Sequence, residues 1–258
     1  MAYQRWLVNL DQGILTLTIN RPEVRNALDN LTWNELGQIV RDTAINPKVH
    51  VVIITGAEDK AFAAGADVPW LLERPAVESL DPGVQGVLLD LENLPQPTIA
   101  AVNGYALGGG CELALACDLR FASQNARFGL TELAVGIIPG GGGTQRLPRL
   151  VGAGLAKEMI FFGNMLDAEE AQRVGLVNRV YPLPDLLPSV RRMAQGLLQR
   201  PPLALRMAKQ AINVGLNTDL RAGLAYEKAC QTYLHTTEDR SEGMRAFIGK
   251  RKPNFRGK

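Results

Sequence analysis

Two glutamates, Glu112 and Glu132, stand twenty positions apart, and each lies beside a glycine-rich segment. The first ends the run Gly108-Gly-Gly-Cys-Glu112, and the second precedes four consecutive glycines at 140–143. An enzyme that moves protons needs one group that takes a proton and another that gives one, and two carboxyls in different surroundings can divide these roles. The spacing alone does not establish a site, but these carboxyls are the first candidates for acid–base chemistry.

Two short turns of small residues could bind an oxygen that is gaining negative charge. Ala64-Gly-Ala-Asp67 follows one predicted buried strand, and Gly108–Gly110 follows another. A strand that passes through such a turn into a helix leaves backbone N–H groups unpaired, and the helix N-terminus adds partial positive charge. Because small side chains let a ligand approach the backbone, one N–H group from each turn could form an oxyanion hole.

Each candidate also has a purely structural interpretation. A lone Gly-Gly-Gly is more often a tight turn, and Glu112 alone could complement the dipole of its helix. Glu132 could be a capping or surface acid, and Asp118 is more often structural at a junction between helix and strand. Neither nucleotide-binding motif is complete, because residues 104–110 do not form G-x-G-x-x-G and residues 140–143 are not followed by the Lys-Ser/Thr of a P-loop.

Composition is that of an ordinary soluble globular protein long enough to bury a core without disulfides, with 258 residues, 46% hydrophobic and 21% charged. The net charge of +2 provides no broad basic field. We therefore expect neither nucleic acid nor a membrane surface as a partner. No apolar run approaches the roughly 18 residues that a membrane helix requires.

The cysteines and histidines give no pattern of metal ligands. Cys111, Cys117 and Cys230 include no C-x-x-C pair, and the histidines are His50 and His235. We therefore expect no zinc site, and we interpret the first two cysteines as small core residues. An odd number of cysteines and the absence of a signal-peptide pattern favour a reducing compartment, so we predict a cytoplasmic protein.

The beginning of the chain predicts a β-hairpin followed by a helix. Trp6–Leu10 and Ile14–Ile19 alternate on either side of a turn that contains glycine. Thr32 and Glu35 form the pattern of a capping box, which predicts the start of a helix. Asn46-Pro47 predicts its end.

Further along, the chain alternates short apolar runs with glycine-rich turns and then becomes mainly helical. The runs at 49–55 and 98–102 predict strands buried on both faces of a sheet. Five prolines interrupt residues 68–97, which we expect to form broken helix and loop along a pocket wall. Beyond Gly143 helical patterns dominate, and after a break at Pro201-Pro202 they predict three more helices.

Taken together, these segments resemble the crotonase, or enoyl-CoA hydratase, superfamily over nearly the whole chain. The most specific motifs are Ala61–Asp67, Ala100–Glu112, Ile138–Arg146 and Ala171–Val177. The resemblance implies an α/β fold, a spiral of ββα units over residues 1–200. It also implies a C-terminal helical region, residues 201–258, that packs on neighbouring subunits in trimers or dimers of trimers.

The resemblance also implies the roles of individual residues. The N–H groups of Ala66 and Gly109 would form the oxyanion hole, Glu112 would be the general base, and Glu132 would hold the water and protonate the substrate. Coenzyme A would enter only as part of the substrate, with no metal or other cofactor. The residues that would contact the acyl-CoA are Arg25, Ala27, Ala64, Gly65, Ala66, Asp67, Val68 and Gly109, with Phe247 and Lys250 from a neighbouring subunit.

The implied reaction is the reversible syn hydration of a short or branched 2-enoyl-CoA to a 3-hydroxyacyl-CoA, as in fatty acid β-oxidation. Segments 137–149 and 219–225 resemble the methylglutaconyl-CoA hydratase branch, and a Δ3-Δ2 enoyl-CoA isomerase with Glu132 as proton shuttle is a further alternative. A non-catalytic acyl-CoA-binding or RNA-binding relative is the least favoured. One member of that branch binds RNA through a lysine-rich helix, but the matching segment 32–46 contains only Arg41 and no lysine. Thr131 stands where many relatives have proline.

Overall fold

The computed structural model describes residues 3–73, 75 and 83–258, and these form two β-sheets surrounded by helices. The strands are Trp6–Asp11 (β1), Ile14–Ile19 (β2), Val51–Gly56 (β3), Ala61–Ala63 (β4), Thr98–Val102 (β5), Tyr105–Leu107 (β6), Leu119–Ser123 (β7), Arg127–Gly129 (β8), Leu166–Asp167 (β9) and Arg179–Tyr181 (β10). The α-helices are Asn30–Ala44 (α1), Val68–Glu73 (α2), Gly83–Glu92 (α3), Gly109–Ala116 (α4), Gly143–Val151 (α5), Ala153–Phe162 (α6), Ala168–Arg173 (α7), Leu183–Leu197 (α8), Pro202–Leu216 (α9), Leu220–Leu234 (α10) and Glu238–Ile248 (α11).

The larger sheet has six strands in the order β1-β2-β3-β5-β7-β10. The predicted hairpin is confirmed, since β1 and β2 pair antiparallel from Trp6 opposite Ile19 to Asp11 opposite Ile14. The remaining neighbours pair in parallel. The predicted central strands are confirmed as β3 and β5, whose residues are all buried, as expected where helices or a second sheet cover both faces.

A smaller sheet of four strands, β4-β6-β8-β9, runs beside the first. The chain visits the two sheets alternately, because β3, β5 and β7 belong to the larger sheet and the strand after each, β4, β6 and β8, belongs to the smaller. A helical segment follows each such pair of strands. This repetition is the spiral of ββα units that we predicted.

The two faces of β3 contribute to different parts of the core. Val52 and Ile54 pack in the main cluster, between the larger sheet and the helices around the smaller one. Val51 and Ile53 pack in a second cluster with residues of α8, among them Val190. Burying an aliphatic side chain of this size contributes about 1.5–3 kcal/mol, so β3 is anchored from both sides.

Buried Asn103 joins the ends of the two central strands. Its side-chain nitrogen donates to Gly56 O at 3.1 Å and to Glu58 O at 2.7 Å, and its side-chain oxygen accepts from Gly56 N at 3.0 Å. These bonds connect the turn after β3 to the turn after β5. The segments that follow the two strands are therefore held side by side.

The predicted capping box at the start of α1, formed by Thr32 and Glu35, is wrong. The N-cap is Asp29, whose carboxylate accepts from Thr32 N at 2.8 Å and from Thr32 Oγ1 at 2.7 Å. Glu35 does not complete a capping box, because its carboxylate accepts from the backbone N–H groups of Gln4 and Arg5. Glu35 thus ties the start of the chain to the helix. The helix ends at Ala44, just before the predicted Asn46-Pro47 stop.

Predicted helices after Pro201-Pro202 are confirmed as α9, α10 and α11. Lys209 on α9, 8% exposed, forms an ion pair of 2.8 Å with Asp118, which also accepts from Thr98 N and Thr98 Oγ1. Asp118 therefore has the structural role that we favoured, as an anchor between the C-terminal helices and the larger sheet.

Residues 68–97 are partly described. They contain α2 and α3, separated by a stretch that includes Pro75, which agrees with the predicted broken helix. Residues 74 and 76–82 lie outside the described residues. The part of the predicted pocket wall that falls on these positions is therefore not described either.

Candidate active site

The two turns of small residues are brought into contact. Gly108, the N-cap of α4, has a positive φ of 50°, which a residue without a Cβ adopts easily. A Cβ placed there would lie only 3.7 Å from Gly65 Cα, in the other turn. The predicted pair of turns therefore forms one continuous backbone surface.

Pairing with Leu28 orients the first turn. Leu28 N donates to Gly65 O at 2.8 Å, and Asp67 N donates to Leu28 O at 3.0 Å. In this parallel bridge the N–H of the intervening Ala66 points away from Leu28. Gly109 is the first residue of α4, where a helix provides no internal acceptor for an N–H group. In the described part of the chain, neither N–H group takes part in the backbone bonds that occupy its neighbours.

Glu112 lies in the first turn of α4 and is 3% exposed. Its Oε1 accepts from Gly141 N and from Gly143 N, each at 2.7 Å. Burial raises the pKa of Glu112, and these two N–H groups and the positive charge of Arg146 oppose the rise. The carboxylate is therefore held in one position by donors that favour its ionised form.

Glu132 begins a 3-10 turn, Glu132–Val135, that leads towards the glycine run. Both of its carboxyl oxygens are shielded from solvent, and neither has a hydrogen-bond partner among the described residues. Burial raises the pKa of Glu132 to about 7; its own backbone N–H group opposes the rise, and the negative charge of Glu112 adds to it. A carboxyl with these properties is protonated over part of the neutral pH range.

The second glutamate lies beside the paired turns. A Cβ on Gly108 would stand 3.3 Å from Glu132 Oε1, on the same residue that approaches Gly65. The negative charge of Glu112 also raises the pKa of Glu132, so the two carboxyls lie close enough to affect each other's ionisation. The structure therefore brings together the two glutamates and the two turns that the sequence singled out. Glu132 is not a surface acid.

A hydrogen bond and an ion pair hold the segment near Arg25 beside the first turn. Ala64 N donates to Arg25 O at 3.1 Å, so the segment that begins at Arg25 runs along the turn at 64–68. Asp67 forms an ion pair of 3.0 Å with Arg21, which fixes the end of the turn. The predicted contacts of these residues with an acyl-CoA stay predictions.

Phe247 and Lys250 lie at the end of α11 and just beyond it. Phe247 is 87% exposed, and Lys250 has a φ of 49° in the left-handed region. We predicted that these residues act in a neighbouring subunit. The structure describes one chain, so that placement stays a prediction.

Sequence reasoning missed the residues that hold Glu112. The glycine run at 140–143 was compared only with a P-loop, yet Gly141 and Gly143 donate their N–H groups to a carboxylate of the same chain. Arg146, which follows that run, was not singled out either. Its Nη1 donates to Gly141 O at 2.9 Å. A run of four glycines beside a candidate acid could have indicated a backbone anion site, but the sequence does not say which anion it binds.

The cysteines 111 and 117 are buried, unpaired and surrounded by core residues, as predicted. Burial raises the pKa of Cys117 to about 12, so its thiol stays neutral. Within the described residues, no group of three His, Cys, Asp or Glu side chains could hold a metal ion. In the same part of the chain, no helix is long and apolar enough to cross a membrane.

Comparison with known proteins identifies the family. The model of the enoyl-CoA hydratase/isomerase family matches residues 9–258. The chain is 44% identical to a crotonyl-CoA hydratase of Syntrophomonas wolfei, over 99% of each chain. It is also 44% identical to the mitochondrial methylglutaconyl-CoA hydratase of Mus musculus, over 98% of this chain and 82% of the relative.

Solved structures agree. The crystal structure of an enoyl-CoA hydratase from Bacillus anthracis superposes with a TM-score of 0.95 at 41% identity, and the match covers 99% of this chain and 100% of that one. The fold is thus shared over nearly the whole chain with a solved enoyl-CoA hydratase. The chain belongs to the enoyl-CoA hydratase/isomerase family.

Proposed function

We propose that this protein is an enoyl-CoA hydratase, a carbon–oxygen lyase that adds water reversibly across the 2,3-double bond of a short or branched 2-enoyl-CoA. The observation that carries the proposal is the difference between two buried glutamates beside a pair of free backbone N–H groups. Glu112 has two N–H donors that favour its carboxylate, whereas the carboxyl of Glu132 has no donor from another residue of the described structure and has a pKa of about 7. Hydration needs one group of each kind.

The backbone N–H groups of Ala66 and Gly109 would bind the thioester carbonyl oxygen. As the 3-carbon is attacked, electrons of the double bond move towards that oxygen, and the two N–H groups stabilise the negative charge that develops there. One such donor typically contributes about 3 kcal/mol to transition-state stabilisation. The donors belong to a rigid backbone, so they need no rearrangement as the charge appears.

Proton transfer then follows from the state of each carboxyl. The water oxygen bonds to the 3-carbon while ionised Glu112 takes one of its protons, and protonated Glu132 gives its proton to the 2-carbon. The substrate thus gains one hydroxyl group and one hydrogen, which together are one water molecule. Glu112 ends protonated and Glu132 ionised, and a proton must return from one to the other before the next turnover.

Recognition of the coenzyme A portion is part of the proposal. Arg25 and Ala27 would contact it together with the turn from Ala64 to Val68, because Arg25 O is hydrogen-bonded to Ala64 N and holds the two segments together. Phe247 and Lys250 would act from a neighbouring subunit of a trimer or dimer of trimers. No cofactor enters the reaction, since acid, base and oxyanion donors are all supplied by the chain.

The test is a direct assay of water addition. Purified protein is mixed with crotonyl-CoA, and loss of the conjugated thioester absorbance is followed together with chromatographic detection of 3-hydroxybutyryl-CoA. We expect rapid, reversible conversion. If a folded protein that binds coenzyme A esters converts neither crotonyl-CoA nor branched substrates such as 3-methylglutaconyl-CoA, the proposed hydratase is wrong.

A second candidate function, Δ3-Δ2 enoyl-CoA isomerase, is favoured by one observation. The carboxyl of Glu132 has no hydrogen-bond partner among the described residues and a pKa of about 7, which suits it to move a proton between two carbons. A 3-enoyl-CoA substrate distinguishes the two reactions, because an isomerase yields the conjugated 2-enoyl-CoA and stops there. A hydratase continues to the hydroxy product.

A further inference from the structure

Arg146, on α5, contacts two elements on either side of the glycine run. Its Nε and Nη2 donate to Glu92 Oε2 on α3, at 3.1 and 2.7 Å. Its Nη1 donates to Gly141 O at 2.9 Å. The Arg146 side chain is only 15% exposed, so these bonds are partly protected from water.

The guanidinium lies against the backbone of the run itself. Gly142 has a φ of 103°, and a Cβ at this position would collide with Arg146 Nη1. The close approach is possible because glycine has no side chain and adopts this conformation without strain. The Arg146 guanidinium therefore packs directly against the backbone of the 141–143 loop.

Gly141 is consequently held from two sides. Its carbonyl oxygen accepts from Arg146, and its N–H group donates to Glu112 Oε1 at 2.7 Å. Gly143 N donates to the same oxygen. Any movement of this loop would change the position of both donors to Glu112, and the bonds of Arg146 to Gly141 and Glu92 oppose such movement.

Arg146 is also the basic residue whose charge favours ionised Glu112. The other charged or titratable groups that are described on α4 and on the elements around it are Cys111, Glu92, Asp90, Tyr105, Arg120, Glu132 and Arg149. Of these, Glu92 is paired with Arg146, and Arg120 donates to the carbonyls of Ala114 and Cys117 at the far end of the helix. Asp90, Tyr105 and Arg149 are exposed.

We propose that Arg146 is a positioning residue for hydration, one that fixes the 141–143 loop on Glu112 and keeps this carboxylate aimed and ionised. Glu92 is its anchor on α3. The inference rests on the proposed function, since it concerns the general base of that reaction. It adds a residue that does not contact substrate but acts through the loop.

The experiment compares pH profiles of kcat/KM for wild type and four variants. In Arg146→Gln we expect kcat to fall about 10-fold with KM within about twofold, and the acid limb to move to higher pH, because Glu112 loses a nearby positive charge. Arg146→Lys keeps that charge and should restore the position of the acid limb. Arg149→Gln removes an exposed arginine of the same helix and should match wild type.

The Glu92→Gln variant distinguishes an effect of Arg146 on Glu112 from a merely structural tie between α5 and α3. If Arg146 only ties α5 to α3, Glu92→Gln should lower activity as much as Arg146→Gln, and neither should move the acid limb. We instead expect Glu92→Gln to leave the acid limb in place or move it to lower pH, because Arg146 then keeps its full charge near Glu112. An unmoved acid limb in folded Arg146→Gln would overturn the inference.

A readout without activity keeps this inference separate from the proposed function. In protein labelled with ¹³C at the glutamate carboxyls, the Glu112 signal is assigned by its absence in Glu112→Gln and titrated in wild type and in Arg146→Gln. A higher titration midpoint in Arg146→Gln supports the role of Arg146 even if no enoyl-CoA is hydrated. An equal midpoint contradicts it, whatever the substrate.

Discussion

Glu112 and Glu132 are two copies of the same side chain, and they differ in the element that holds them and in the groups that donate to their carboxyls. Glu112 sits in the first turn of a packed helix and accepts two backbone N–H groups, with Arg146 beyond them. Glu132 sits in a short 3-10 turn and is only partly buried, but its carboxyl oxygens are shielded from solvent and have no hydrogen-bond partner in the described structure.

The difference shows that burial alone does not assign a role to a carboxyl. Burial raises the pKa of both groups, but for Glu112 donors and a cation oppose the rise, whereas for Glu132 the charge of Glu112 adds to it. One fold can in this way keep a base and an acid side by side at neutral pH. Each prediction below removes one part of that contrast.

Glu112→Gln should have the largest effect. The amide cannot take a proton from water, although its oxygen can still accept from Gly141 and Gly143 as Glu112 Oε1 does, so kcat for crotonyl-CoA hydration should fall by about 10³-fold or more. Steady-state kinetics measure this. Glu158→Gln, at an exposed position of α6, is the control and should be unchanged. Activity within tenfold of wild type in folded Glu112→Gln would exclude Glu112 as the base.

Glu132→Gln should lower kcat by about 10²–10³-fold. Its side chain loses no hydrogen bond on substitution, because Glu132 has none in the described structure, so the variant should fold and bind coenzyme A esters like wild type. The loss would then be chemical rather than structural. Equal losses of kcat and of ligand affinity would indicate a packing role instead.

Gly141→Ala tests the position of Glu112 without removing its carboxyl. A Cβ at 141 would lie 2.7 Å from Glu112 Oε2, so either the carboxylate or the loop must move, and we expect kcat to fall about 10- to 100-fold. The neighbouring Gly140→Ala is a close control, since the nearest atom to its Cβ would be 4.0 Å away. Equal activity of the two variants would mean that the position of Glu112 is not critical.

Stability should show the smallest effect, and the size of this effect depends on pH. Because the pKa of Glu132 is raised from 4.5 to about 7, its contribution is favourable below the lower value and is lost as the pH rises through the higher one. The glutamine in Glu132→Gln is neutral at every pH, so this variant does not lose stability as the pH rises. Its Tm should exceed that of wild type by about 2 °C at pH 8, with a much smaller difference at pH 5. A constant difference would show that Glu132 does not titrate in this range.

The sequence predicted the frame of the molecule better than the details of the site. The hairpin, the two buried strands and the three final helices follow from local patterns, and the long motifs led to the family. The smaller sheet was not predicted, because strands of two or three residues such as Ala61–Ala63 leave no periodicity to detect. The first cap was wrong because Asp29 and Thr32 are both suitable, and only tertiary contacts of Glu35 decide between them.

The site could also be predicted only in part, because its hydrogen bonds depend on tertiary contacts. Glu112, Glu132 and the two turns could be selected by residue type and by resemblance. That Gly141 and Gly143 bind Glu112, while Glu132 has no partner, depends on segments about thirty residues apart meeting in space. The contrast between the two carboxyls is therefore a property of the fold.

The most direct test of this contrast is the pH profile of kcat/KM for crotonyl-CoA hydration in wild type and Glu132→Gln, from about pH 5 to about pH 9. If Glu132 is the acid, wild-type activity should fall as the pH rises through about 7, and the residual activity of Glu132→Gln should lack that alkaline limb while keeping the acid limb of Glu112. An alkaline limb near pH 7 that persists in Glu132→Gln would contradict the division of roles between the two glutamates.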